Sequence, residues 1–203
     1  MYYAPARGDH GLKIDPLKAL VVPRPIGWIS TVSPAGVVNL APFSFFNLMS
    51  DDPPMVCVGP GGKKRDRPIK DTRANIEATG EFVVNLATWE LREAMNATSA
   101  ELPADTDELA AAGLTAVAAR AVRPPWVGES PVQLECRHWR TVELPSSEPD
   151  EPNAAVFGEV IGVHVADALI VEGRVDITRA RPIARLGYSL YAVIDQTFAM
   201  RRP

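Results

Sequence analysis

Asn39-Leu40-Ala41-Pro42-Phe43-Ser44-Phe45-Phe46-Asn47 gathers amide, hydroxyl and aromatic groups into one short stretch, the mixture that a flat ligand with polar edges requires. Ser44 and Asn47 can donate hydrogen bonds from a turn, while Phe45 and Phe46 offer apolar faces. The same residues also suit a buried aromatic corner with a satisfied serine. A second segment, Lys63 to Thr72, is basic and turn-rich and leads into a predicted helix start. The first turn of a helix presents unpaired N–H groups and a partial positive charge, so Lys70, Asp71 and Thr72 form a candidate phosphate cradle, helped by Lys64 or Arg65. A solvated basic loop with an ordinary cap accounts for the same residues. Trp28 and Thr31 are ordinary strand residues unless a ligand lies against them.

Common enzyme machinery is missing from the sequence. Gly59 and Gly61 make a G-x-G, but Lys64 stands where the dinucleotide fingerprint needs its third glycine. No G-x-x-x-x-G-K-[ST] and no H-E-x-x-H occur, and Gly128-Glu129-Ser130-Pro131-Val132 lacks the second glycine of a nucleophile elbow. Cys57 and Cys136 form no C-x-x-C pair, and His10, His138 and His164 are far apart, which disfavours a zinc site of local spacing. The catalytic set is therefore empty of protein nucleophiles and metals.

The elements that must position the candidate residues follow from pattern and punctuation. The 203 residues, 46% hydrophobic and 23% charged, suit one globular domain spanning 1–203. A net charge of -4 argues against general nucleic-acid binding. No basic-then-apolar leader opens the chain and no run of about 18 apolar residues occurs, so a cytoplasmic protein without a membrane span is expected. Ile26 to Val32 and Val37 to Ala41 predict a β-hairpin about the Ser33-Pro34-Ala35-Gly36 turn. Met55 to Gly59 is a further strand. Ile69 to Thr79 has helical spacing, with Asp71 or Thr72 as cap and Gly80 as terminator. Glu81 to Leu86 returns to strand, and Trp89 to Asn96 and Asp107 to Ala112 are helical pieces. Val132 to Leu144 alternates with period 2, as an antiparallel strand with one wet face does. Pro145 to Asn153 is a loop, and Ala155 to Val165, nearly all apolar, predicts a strand buried on both faces. Short strands, turns between them and few helices point to a mainly β fold with α excursions, an antiparallel barrel whose edges close on themselves.

PRPIGWIST (Pro23 to Thr31), NLAPFSFFN (Asn39 to Asn47), DDPP (Asp51 to Pro54) and KDTRANIEATGEFVVN (Lys70 to Asn85) occur in that order. So do VFGEVIGVHV (Val156 to Val165) and RPIARLGYSLY (Arg181 to Tyr191). In this combination the chain resembles the flavin reductase-like family. The resemblance implies an FMN-binding split β-barrel of antiparallel Greek-key type, with non-covalent FMN at a homodimer interface. It implies that Trp28, Thr31, Ser44, Phe45 and Asn47 line the flavin and its ribityl chain, and that Lys70, Asp71 and Thr72 hold the phosphate. Arg185 is a further phosphate or flavin contact on this reading, and His164 either approaches the site or packs within its strand. The implied activity is FMN-dependent oxidoreduction: NAD(P)H delivers a hydride to the flavin, and a second flavin, a metal complex, a protein such as an oxygenase component, or an organic molecule accepts the electrons. Electron transfer without nicotinamide turnover, and a non-catalytic flavin-binding module, are the alternatives.

Overall fold

A computed structural model describes every residue except Arg65, Pro149, Arg202 and Pro203. Seven strands make one antiparallel sheet: β1 (Gly27–Val32), β2 (Val38–Phe43), β3 (Phe46–Asp51), β4 (Pro54–Val58), β5 (Glu81–Leu86), β6 (Val132–Leu144) and β7 (Asn153–Val165). Their spatial order is β2-β1-β5-β6-β7-β4-β3. Strands β5, β6 and β7 run as a meander, and β4 lies beside β7 after a long connection, which is the Greek-key arrangement. The β1–β2 turn is the predicted one: Gly36 N–H donates to Ser33 O at 2.9 Å, and Gly36 supplies the positive φ of 89°.

The sheet forms the split barrel that the resemblance implies, and the edges that the strand pattern alone predicts to close on themselves stay open at one seam. Strands β2 and β3 end the sheet and are not paired with each other, so the barrel is split. Side-chain packing spans the gap, because Gly27 of β1 lets the Phe46 ring of β3 lie directly on its backbone; a Cβ there would come within 2.7 Å of Phe46 Cγ. A smaller sheet, made by Arg24–Pro25, β8 (Ile183–Gly187) and β9 (Leu190–Val193), shares no ladder with this sheet but packs on it, Ile183 joining the core of Trp28 and Leu40.

A short helix, α1 (Leu17–Leu20), precedes the sheet. The two faces of β1 feed two cores. Ile29 enters the barrel interior with Val56, Val58, Phe82, Val84, Cys136 and Val156, capped by Ile76 of α2 (Asp71–Thr79). Trp28 and Leu40 face the other way, onto Met95 of α3 (Arg92–Ala97) and Leu109 of α4 (Glu108–Ala111). Strand β7 departs from its expectation: Ala154, Val156 and Gly158 are buried in alternation, but Val163 near its end is exposed. An apolar run does not distinguish a doubly buried strand from one that outruns the barrel, and two register shifts against β6 accompany the change.

Candidate functional site

Helix α2 ends on its sequence signal, but its start differs in a way that matters for chemistry. Gly80, at φ 76°, ends it as expected, but Lys70 is the N-cap and no side chain caps the opening amides. Asp71 does not act as a cap. Its carboxylate instead receives Lys64 Nζ on one oxygen and Arg67 Nη1 on the other. A carboxylate held this way organises cations and is itself a poor phosphate ligand, which corrects its expected role. Lys64 is buried and donates to Leu102 O at 3.1 Å. Lys70 pairs with Glu101 at 3.6 Å.

The helix is docked by two amide-to-hydroxyl bonds that fix where its N-terminus points. Asn39 Nδ2 donates to Thr72 Oγ1 at 3.0 Å, and Asn75 Nδ2 donates to Thr31 Oγ1 at 3.1 Å. Both hydroxyls keep their own proton for another acceptor. Lys64, Lys70, Asp71 and Thr72 line a pocket of about 250 Å³ together with Asn39 and Glu108. Glu108 is buried, accepts from Leu40 N–H at 2.7 Å and lies 3.9 Å from Lys64 Nζ. Burial outweighs these favourable contacts and raises its carboxyl to about 7.

A larger groove of about 790 Å³ adjoins this pocket. Ser44, Phe45 and Asn47 line it, with Arg24, Met49 and Cys57. Gly61 lines both cavities, and a Cβ there would come within 2.7 Å of Asn153 Oδ1. Phe43 faces the pocket and Ser44 the groove, so the Asn39–Asn47 segment runs from one into the other. Phe45 is 56% exposed, which excludes the alternative of a buried aromatic corner at that residue. Asn47 Oδ1 accepts from the Leu48 N–H at 2.9 Å, leaving its NH₂ group for other acceptors. Burial raises the Cys57 thiol.

The remaining expected residues lie elsewhere. Trp28 has no exposed surface and donates from Nε1 to Thr98 Oγ1 at 2.9 Å, so it is a core residue of this chain and does not reach the groove. Thr31 is equally buried and supports α2 from below. Arg185 belongs to the smaller sheet, where its guanidinium donates to Tyr191 Oη and Tyr188 O. His164 stacks on Trp126 at 4.7 Å and bonds Gln133 Oε1 at 2.5 Å, the packed strand histidine. Arg65 lies outside the described residues. The sequence reading missed Arg24 and Glu108. Arg24 carried one signal, a lone arginine between two prolines; Glu108 carried none, since its burial is set by tertiary packing.

Residues 19–182 match the family model described as "Flavin reductase like domain". An uncharacterized protein of Halalkalibacterium halodurans is 37% identical over 183 residues, 90% of this chain and 87% of that protein. Among solved structures, nitrilotriacetate monooxygenase component B from Bacillus cereus superposes with a TM-score of 0.87 at 30% identity, covering 98% of each chain. An FMN-binding domain of a flavin reductases-like enzyme from Shewanella baltica shares the fold, with a TM-score of 0.67 at 19% identity over 93% of this chain and 96% of that one.

Proposed function

Since the chain belongs to the flavin reductase-like family, we propose that it is an FMN-dependent oxidoreductase that takes a hydride from NAD(P)H and passes the electrons to a flavin, metal or protein acceptor. The observation that carries this reading is the continuity of the two cavities. An uncapped helix start beside buried Lys64 and Thr72 suits a phosphate, and it leads past Gly61 into a groove with the polar and aromatic edges that a flat ring needs. The donor set fits FMN better than an unphosphorylated flavin for the same reason.

On this reading the α2 amides, Thr72 Oγ1 and Lys64 hold the phosphate, with Asp71 keeping Lys64 and Arg67 in place. Ser44 and Asn47 orient the polar edge, and Phe45 covers one face and excludes water. Bound flavin supplies hydride acceptance and release, so no protein nucleophile is needed. Nicotinamide binds by stacking on the ring, consistent with a chain that has no dinucleotide fingerprint. The full chain acts as one domain and works in the cytoplasm, without nucleic acid or membrane. A second copy closes the groove in a homodimer, a role suited to the exposed Phe45, Leu48 and Met49 along the β3 edge. An oxygenase component is one candidate protein acceptor.

Anaerobic addition of NADH or NADPH to FMN-loaded protein tests the reading. Bleaching of the flavin band near its visible maximum within seconds is the expected result; a band stable to both nucleotides but bleached by dithionite overturns nicotinamide use.

A further inference from the structure

Arg24 is a buried cation without a counter-ion. It is 8% exposed, and among the described residues no carboxylate pairs with it. Its Nη1 donates to the carbonyls of Lys18 and Val21, the latter at 2.7 Å, while Nε is buried with no acceptor, the one side-chain atom so left among the described residues. Neutral carbonyls do not replace a counter-ion. Burying a charge is costly unless it is paired, and orphaned buried donors are rare enough in folded proteins to need a cause.

Its surroundings point toward the groove. Arg24 lines the cavity with Ser44, Phe45 and Asn47, and its guanidinium carbon lies 5.9 Å from the Phe45 ring centroid. Lys18 lines the same cavity, against one carboxylate, Glu151. In the smaller sheet Arg24 stands directly opposite Arg185, which is held by a tyrosine hydroxyl and a backbone carbonyl. Like charges placed opposite each other across a ladder lower stability, so neither arginine serves the other as a partner.

We propose that Arg24 is the anion-recognising residue of the groove and that its guanidinium holds the negatively charged edge of a flat ring. An oxyanion arriving there gives the planar fork the charged acceptor that Lys18 and Val21 do not supply. Two ligands offer this chemistry. A flavin that has taken up two electrons and one proton carries one negative charge spread over its pyrimidine edge, and charge placed near that edge tunes its potential. A flat aromatic carboxylate lying in the same groove carries its charge permanently. The inference rests on FMN binding by this chain.

The test uses FMN-loaded wild type, Arg24→Gln and Arg24→Lys in two arms. Equilibration with dyes of known potential reads how strongly each protein prefers reduced over oxidised FMN. In Arg24→Gln that preference is expected to fall at least tenfold, about 30 mV for a two-electron couple. Arg24→Lys keeps the charge but not the fork and should fall less. Titration of the oxidised holoprotein with benzoate, followed in the flavin spectrum, reads the second arm. A loss of benzoate affinity of tenfold or more in Arg24→Gln, at unchanged potential, assigns the residue to a second, acidic ligand. A potential and a benzoate affinity both equal to wild type in Arg24→Gln overturn the proposal. Should that variant not fold, equality of Arg24→Lys with wild type in both arms overturns it instead. Failure of the wild type to bind FMN is a different result and removes the underlying reading.

Discussion

Thr72 is 1% exposed, and its hydroxyl accepts a hydrogen bond from Asn39 Nδ2 while keeping its own proton to donate. If that proton goes to a phosphate oxygen, Thr72→Ala removes a charge-assisted hydrogen bond worth on the order of 1.5 to 3 kcal/mol. FMN affinity then falls about 10- to 150-fold by fluorescence titration, and Thr72→Ser restores most of it. Affinity unchanged in Thr72→Ala contradicts the assignment. Glu108 makes the same pocket sensitive to pH. Its carboxyl is raised to about 7 by burial, so the folded protein holds a proton there that the unfolded chain has already lost above its ordinary value of 4.5. The stability this contributes is complete below about 4.5 and is lost as pH rises through about 7. A phosphate beside it favours the protonated form, so FMN should bind more weakly at pH 8.5 than at pH 7, and Glu108→Gln should flatten that difference. Equal pH profiles in the two proteins contradict the coupling. These two residues also mark the reach of sequence reading. The sequence places Thr72 at the helix start, and the structure puts it in the pocket lining. Glu108 looks like any acidic residue in a polar stretch until β2 packs against it.

Helix α2 shows the same division. Its end follows from Gly80, but its start at Asp71 and its missing cap could not be read from sequence, because Asp71 and Thr72 are both good capping types and both are diverted to tertiary partners. Strand β6 keeps its predicted bounds but not its one wet face: Gln133 and Glu135 are buried because they bond the covering segment at Ala121, Trp126 and Val127, while Val142 and Leu144, past the barrel, are exposed. Strand β3 was not foreseen: Ser44-Phe45-Phe46-Asn47 reads as a turn, and an edge strand exposing Leu48 and Met49 has no clean alternation to betray it. The contact of β1 with β3 across the seam gives a direct check. Gly27→Ala places a methyl against the Phe46 ring, and overpacking of this kind costs about 1 to 3 kcal/mol. A drop in melting temperature of several degrees is expected by calorimetry. An unchanged melt contradicts closure of the split barrel by this contact.

For the molecule as a whole, a mainly β antiparallel fold was legible in the strand pattern and its punctuation, and the split barrel and the family in the resemblance carried by the ordered motifs. What the sequence could not convey is which of those motif residues face a cavity and which, like Trp28, fill the core. The exposed Phe45 and Met49 on the groove's rim are where the proposed second copy would sit. Because a ligand touching both chains binds the dimer better than the monomer, FMN should shift the equilibrium toward dimer by mass action. Sedimentation across a dilution series reads this; a flavin-loaded species that stays monomeric at micromolar concentration contradicts an interface site. The central claim is that the α2 pocket and the Ser44–Asn47 groove together hold one FMN, with the phosphate at the helix. Parallel titrations of flavin-free protein with FMN and riboflavin, followed by quenching of flavin fluorescence, address it most directly. Saturation at one FMN per chain, with riboflavin at least tenfold weaker, is the predicted result; absence of flavin binding, or equal affinity for the two, would contradict it.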